Sequence, residues 1–240
     1  MKKKTPKIPY GQNVYDGKEI KAVLKTLKKS TQMGESVDRF ESKISKFFSK
    51  KYSLMVNSGS SALILAFRVM NFKKGSEIIT PCLNFGTGVS SIMLSNLTPV
   101  LVDCKVDTLQ INEDKIEEKI TKKTKAIIPV HMYGQMCDMD EIMKISKKYN
   151  LRVIEDCAQS HGATYKNKKA GSIGDMGCYS FYPTKIFGAY GDGGFITTNN
   201  DTFYDRMRRI RFLGMEKKKM SSGHWNGKYY AVEHSTNSRL

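Results

Sequence analysis

At 240 residues with 40% hydrophobic content, the chain has an ordinary globular composition and can bury one large domain, or one plus the beginning of a second. Its formal net charge of +17 would attract anionic partners such as phosphorylated metabolites, nucleic acid or acidic lipid, without choosing among them. Cys82, Cys104, Cys137, Cys157 and Cys178 are odd in number, widely separated and never in a CxxC pair, which argues against a disulfide framework or zinc knuckle. Reduced thiols in a cytoplasmic protein are the simplest reading.

The amino terminus is basic, but Thr5 to Tyr15 contain no apolar segment of the kind a secretory signal needs. Two amphipathic helical stretches are predicted at Gly17 to Lys29 and Val37 to Ser49, separated by Ser30-Thr31-Gln32-Met33-Gly34. Short apolar runs bounded by turn residues then alternate with helical patterns. In chain order the pattern predicts a strand at Ser53 to Val56, a helix at Ser60 to Asn71, a strand at Glu77 to Thr80 and a helix at Thr87 to Ser95. A strand follows at Pro99 to Asp103, a helix at Asn112 to Ile120, a strand at Ala126 to Val130 and a helix at Met139 to Tyr149. Three strands, Arg152 to Asp156, Gly177 to Phe181 and Gly194 to Thr198, precede a last helix at Thr202 to Phe212. The longest apolar segment, Ala62 to Met70, is interrupted by Arg68 and is too short to span a bilayer, so no membrane insertion is expected. Nearly continuous apolar strands in βα alternation imply an α/β fold: a mostly parallel central sheet with helices on both faces, in three αβα layers. Ligands of such folds bind at the carboxyl ends of the strands.

Three segments fall at those ends. Asn57-Ser58-Gly59-Ser60-Ser61-Ala62 joins a strand to a helix, where backbone N–H groups, hydroxyls and a glycine can cradle phosphate. Taken alone, such a sequence more often merely caps a helix. It lacks the GxxxxGK[ST] of a Walker loop, and no GxSxG elbow of a serine hydrolase is present. The strand ending in Asp156 leads into Cys157-Ala158-Gln159-Ser160-His161-Gly162. Lys185 lies between the aromatic segment Ser180-Phe181-Tyr182-Pro183-Thr184, expected to be buried, and the loop Gly188-Ala189-Tyr190-Gly191-Asp192-Gly193-Gly194. In that setting an amine loses its proton readily and can attack a carbonyl. A lysine, an acid and a phosphate cradle have one joint explanation in pyridoxal 5'-phosphate: the lysine forms the Schiff base, the acid partners the ring nitrogen, and the helix end takes the phosphate.

Pro129-Val130-His131-Met132-Tyr133-Gly134-Gln135, Val153 to Gly162 and Ser180 to Gly194 resemble, in order and spacing, the DegT/DnrJ/EryC1/StrS family of sugar aminotransferases, over nearly the whole chain. The resemblance implies a homodimeric fold-type I pyridoxal phosphate enzyme that moves an amino group, commonly from L-glutamate, to a nucleotide-linked keto-sugar. The product would serve synthesis of a surface polysaccharide such as lipopolysaccharide. Position by position, Lys185 would be the Schiff-base lysine and proton shuttle, and Asp156 the partner of the ring nitrogen. Gln159 would lie near the cofactor's phenolic oxygen and Phe85 would stack on its ring. Ser60, Ser61 and Ser180 would bind phosphate, and Asn237 would reach the phosphate of the neighbouring subunit. His131 and His161 have no metal-ligand spacing and are expected to be structural.

Family members normally continue into a smaller carboxyl-terminal domain, so residues 1–240 are expected to correspond to the cofactor-binding large domain with an amino-terminal helical segment. Within the family, the alternative activity is that of a sugar dehydratase, whose members replace the Schiff-base lysine with histidine; Lys185 argues against it. A cofactor-free nucleic-acid-binding protein is the alternative of another class, but it rests on charge alone, with no recognisable nucleic-acid motif.

Overall fold

The computed structural model describes residues 14–29, 33–217, 229–231, 235 and 238. Helices α1 (Gly17–Lys29) and α2 (Glu35–Phe47) lead into β1 (Tyr52–Val56), α3 (Gly59–Met70), β2 (Glu77–Pro81), α4 (Gly86–Leu94), β3 (Thr98–Val102) and β4 (Thr124–Ile127). They are followed by α5 (Met139–Tyr149), β5 (Arg152–Asp156), the short pair β6 (Thr164–Tyr165) and β7 (Lys168–Lys169), and β8 (Met176–Ser180). After β9 (Gly194–Thr198) and α6 (Asp201–Arg211), β10 (Met215–Lys217) and β11 (Tyr229–Ala231) pair with each other.

The seven strands that the sequence predicts form one sheet, in the order β3-β2-β4-β5-β8-β9-β1. Within this sheet β9 alone runs against its neighbours, pairing antiparallel with both β8 and β1; the other four pairings, across β3, β2, β4, β5 and β8, are parallel. Strands buried on both faces tolerate continuous apolar runs, and all five residues of β9 are buried. One face packs α3, α4 and α6 through Leu63, Leu65, Phe67, Ile92, Met207 and Ile210. The opposite face is covered by α5, through Met139, Ile142 and Ile145, and by α2, through Ile44 and Phe48. The expected three αβα layers are therefore present.

Helix starts follow capping chemistry. Ser58, Asp138 and Asn200 accept the N–H groups of Ser61, Glu141 and Phe203, satisfying donors that have no partner within the helix. One predicted helix differs: Asn112 to Ile120 is two 3-10 turns, at Glu113–Lys115 and Glu117–Lys119. Its bonds close at three residues, as in Ile116 N–H to Glu113 O and Ile120 N–H to Glu117 O. A nine-residue segment with Ile116 as its one fully buried side chain has too little packing to hold regular α-helical turns.

The edge strand β1 is closed by a buried ion pair. Met55 turns its backbone outward, where Glu41 Oε1 accepts its N–H at 2.7 Å and Arg211 donates to its C=O at 3.0 Å. Arg211 also donates to Glu41 Oε1 at 2.5 Å, so α2 and α6, from opposite faces, meet at the edge and occupy its backbone groups.

At the end of β5 the alternation of the strand sends Val153 and Glu155 toward the α5 face, and Ile154 and Asp156 the other way. Glu155 is fully buried and saturated: it accepts the N–H groups of Gly171 (2.8 Å), Ile173 (2.8 Å) and Gly174 (2.6 Å) and contacts His131 Nε2 at 3.0 Å. His131 Nδ1 accepts the Cys137 N–H at 3.2 Å, so the ring is neutral and its single proton, on Nε2, is donated to Glu155. Burial pushes the Glu155 carboxyl up, but the His131 bond and the Gly174 and Gly171 N–H groups outweigh it and hold it low. Glu155→Gln replaces an acceptor by a donor facing N–H groups. We expect a loss of about 2–4 kcal/mol of stability, measured by urea denaturation at neutral pH. The loss should be full above the ordinary glutamate value of 4.5 and shrink progressively on acidification below it, disappearing once the pH has fallen through the depressed folded value.

Candidate active site

The residues singled out in the sequence, Asn237 apart, lie at or beyond the carboxyl ends of β1, β2, β5 and β8. After β1, Ser58 caps α3, and Gly59 lies against the end of β8: a Cβ there would sit 2.7 Å from the Ser180 Cβ. Glycine is what lets the two elements approach. The first-turn N–H groups of Gly59 and Ser60 have no intrahelical acceptor, and the hydroxyls of Ser60 and Ser180 stand beside them. Ser60 Oγ is 3.5 Å from Thr87 Oγ1, which adds a third hydroxyl from the first turn of α4. Ser180 Oγ accepts the Tyr182 N–H at 3.2 Å and keeps its own proton to donate. Ser61 is more committed, since its N–H goes to Ser58 and its hydroxyl to Asn57 Oδ1 at 2.5 Å.

Beyond β8 the chain leaves the sheet in a loop tied by Phe181 N–H to Gly193 O, Lys185 N–H to Tyr182 O and Ala189 N–H to Phe181 O, each 2.8 Å. Burial of the aromatic segment stops at Phe181; Tyr182, Ile186, Phe187 and Tyr190 are exposed, because the loop stands at the rim rather than in the core. Lys185 is half-buried there, with Nζ 5.9 Å from the centre of the Phe85 ring. Phe85, at the amino-terminal cap of α4, is 70% exposed, with its ring on the cleft side.

Asp156 is buried, and its Oδ1 accepts the Ala158 N–H at 3.0 Å. Burial raises its carboxyl above the usual range, opposed by the Ala158 N–H and by the charge of Lys185. Such a carboxylate favours a cationic partner in the cleft. Gln159 is held by the turn at Met132–Gly134: its Oε1 accepts the Tyr133 N–H at 3.1 Å and its Nε2 points at Met132 Sδ, 3.8 Å away. One amide N–H of Gln159 remains for the cleft. His161 stacks on Phe181 with 5.9 Å between ring centres, and burial together with the Lys185 charge lowers its pKa to about 4. His131, Glu155 and Cys157 lie close together, but Glu155 is fully occupied by hydrogen bonds, so the cluster serves packing rather than a metal.

Asn237 lies outside the described residues. Its neighbour Ser238 donates its N–H to Arg211 O at 3.2 Å and accepts the Asn57 N–H at 3.1 Å, so the chain returns to the end of β1, just before α3. Two site neighbours escaped the sequence reading. Thr87 carried a usable signal, a hydroxyl in the first turn of a helix, as Ser60 does. Tyr15 carried none: its hydroxyl donates to Ala189 O at 2.7 Å and its ring stacks on Tyr190 at 4.1 Å, contacts across some 175 positions.

The profile of the DegT/DnrJ/EryC1/StrS aminotransferase family matches residues 14–240. The chain belongs to that family. It is 45% identical over 186 residues to a dTDP-3-amino-3,6-dideoxy-alpha-D-galactopyranose transaminase of Aneurinibacillus thermoaerophilus, covering 78% of this chain and 51% of the transaminase. Among solved structures, an aminotransferase from Psychrobacter cryohalolentis superposes with a TM-score of 0.89 at 33% identity, covering 97% of this chain and 60% of that one. An E. coli GDP-4-keto-6-deoxy-D-mannose-3-dehydratase with bound hydrated PLP superposes equally well, TM-score 0.89 at 32% identity, covering 96% of this chain and 63% of that one. The chain spans about half to three-fifths of the length of the curated relatives it matches. The expected fold-type I arrangement is borne out. Among the described residues, no helix is long and apolar enough to cross a membrane.

The depressed His161 gives a pH signature. Between pH 6.5 and about 4 the unfolded chain takes up a proton at this position and the folded chain does not, so stability falls on acidification across that window. His161→Gln should flatten the fall in urea midpoint between those pH values; an unchanged slope would show that the histidine is not held neutral.

Proposed function

We propose that the chain forms the cofactor-binding part of a pyridoxal phosphate-dependent aminotransferase, which moves an amino group from L-glutamate to a nucleotide-linked keto-sugar for surface polysaccharide synthesis. The observation that carries this reading is the meeting of Lys185, Phe85, Asp156 and the Gly59–Ser180 contact at one edge of the sheet, within a family whose relatives include nucleotide-sugar transaminases. The residues fit the cofactor. A buried carboxylate whose proton affinity is raised suits a cationic ring nitrogen, and a helix start with hydroxyls, packed too closely for a Cβ, suits a phosphate.

When bound, pyridoxal phosphate supplies an electrophilic carbon and a cationic ring that accepts an electron pair. Lys185 would be the residue that holds that group and, with its amine free, would move a proton at the substrate carbon. Asp156 keeps the proton on the ring nitrogen. At about 4 Å and an effective dielectric of 20, a carboxylate contributes roughly 4 kcal/mol toward this before desolvation. Phe85 would cover one ring face, Gln159 would orient the phenolic oxygen, and Ser60 and Ser180 would anchor the phosphate, with Ser61 joining them if its hydroxyl turns from Asn57. Lys185 at the cofactor-carrying position favours amino transfer over dehydration, despite the likeness to a dehydratase. A homodimer is part of the reading, supported by the exposed aromatics Phe85, Tyr133 and Tyr182 around the cleft and by the family; so is a cytoplasmic location, where nucleotide-linked sugars are made.

The full-length protein given glutamate alone should release 2-oxoglutarate in an amount matching its cofactor content, and steady-state kinetics should be ping-pong; a requirement for both substrates together would overturn the two-stage exchange. Lys185→Ala should abolish the visible absorbance of lysine-bound cofactor, and an unaltered band would remove the lysine from its role. Asp156→Asn removes a charge that burial disfavours. The cofactor-free variant should melt at or above the parent's temperature near pH 7, while cofactor affinity falls on the order of tenfold or more, read by spectroscopic titration.

A further inference from the structure

Two of the five thiols are brought together by the sheet at the root of the Phe85 loop. β2 and β3 are parallel neighbours with Pro81 opposite Val102, and the Cys82 N–H continues the ladder to Val102 O at 2.8 Å. Carried one step further, that register sets Cys82 beside Asp103, and the Cys82 thiol donates to Asp103 Oδ1 at 3.6 Å. Cys104 is then the diagonal neighbour. An ideal ladder, with strands about 4.8 Å apart rising about 3.3 Å per residue, would put such Cα atoms roughly 6 Å apart, inside the range that a disulfide bridges. Past Val102 the chain leaves the sheet, Cys104 pairs with Ile111, and its sulfur faces both the Leu83 N–H and the Cys82 thiol.

We propose that Cys82 and Cys104 close a reversible intrachain disulfide by exchange with a small-molecule disulfide of the glutathione type. Cys82 is the exposed member and opens onto a cleft of about 340 Å³ that also carries the Lys115–Asp103 and Lys119–Glu118 pairs, where a small polar disulfide can enter. Cys104 is half-buried, and burial pushes its thiol up, so it acts second. The Cys82 thiolate attacks one sulfur of the small disulfide, forming a mixed disulfide and releasing one thiolate. The Cys104 thiolate then attacks Cys82 Sγ and releases the second. The two protein thiols are oxidised to one disulfide, the small disulfide is reduced to two thiols, and the two S–H protons end on those leaving groups. Leu83, Asn84 and Phe85 follow directly, so the bond ties the base of that loop to the end of β3. The consequence for the cofactor rests on the role proposed above for Phe85, but the disulfide itself does not.

Both cysteines fall in one tryptic peptide, Gly75–Lys105, with no other cysteine. The full-length holoenzyme incubated with glutathione disulfide, then alkylated and digested, should yield this peptide lighter by two hydrogens and unalkylated, restored by dithiothreitol. Cys82→Ser and Cys104→Ser should each stop that loss; Cys104→Ser should instead retain glutathione on Cys82. A stable glutathione adduct on the unsubstituted protein, a peptide joined to that of a second chain, or no reaction would each overturn the proposal. Amide exchange at Leu83 to Phe85 should slow severalfold in the oxidised protein, and equal exchange would overturn the tie on the loop. These readouts do not depend on transamination, so their failure is separable from failure of the proposed activity.

Discussion

Two consecutive carboxylates at the end of one buried strand organise this molecule. Because successive side chains of a strand point to opposite faces, Glu155 and Asp156 enter different environments although they are adjacent in the chain. Glu155 meets three backbone N–H groups and the His131 ring, and its charge is fully absorbed in fastening the 170–174 segment and the His131 turn to the sheet. Asp156 receives one backbone N–H and the distant charge of Lys185, less than its burial demands. The first acid makes the platform rigid. The second, on that rigid platform, retains the unmet demand for a cation that a cofactor ring nitrogen can satisfy.

The scaffold around this pair is built to close gaps that would otherwise move the site. The Glu41–Arg211 pair occupies the outward backbone of β1, the strand that delivers Asn57 and Ser58 to the start of α3. Gly59 allows that helix start to touch the end of β8, and Gly194, the partner of Ser180 in the ladder, leaves no room for a Cβ against the Ser58 backbone, 2.5 Å away. The start of α3 is therefore held against β8 and β9 by close backbone approach, which rotamer changes cannot alter. By contrast, Lys185 and Phe85 stand on loops at the rim, where a side chain that must engage and release partners has freedom to do so.

Much of the positive charge resolves into local pairs. Lys29 with Glu35, Lys51 with Asp201, Lys144 with Glu141 and Lys148 with Glu117 lie on exposed helix ends and loops. In high dielectric such pairs stabilise little, and their role is solubility more than architecture. The informative lysines are the two with unusual surroundings: Lys50, buried and donating to Gly174 O at 2.9 Å beside the Glu155 staple, and Lys185 beside Phe85.

The sequence by itself determined the strands, most helix limits, the three-layer class and the residues from which a cofactor site could be made. Apolar runs such as Arg152 to Asp156, and capping residues such as Ser58, act within a few positions of themselves, so local pattern suffices to read them. Local pattern misjudged Asn112 to Ile120, where tertiary packing decided between α and 3-10 turns, and the burial of the segment after Phe181, where the end of a sheet decided it. Tertiary structure alone decided that β9 runs backward, that Tyr15 reaches Ala189, that Ser60 meets Thr87, and that Cys82 faces Cys104. Each of these depends on which strands become neighbours, and strand order is set by the summed burial of whole faces, a quantity that no short stretch of sequence contains.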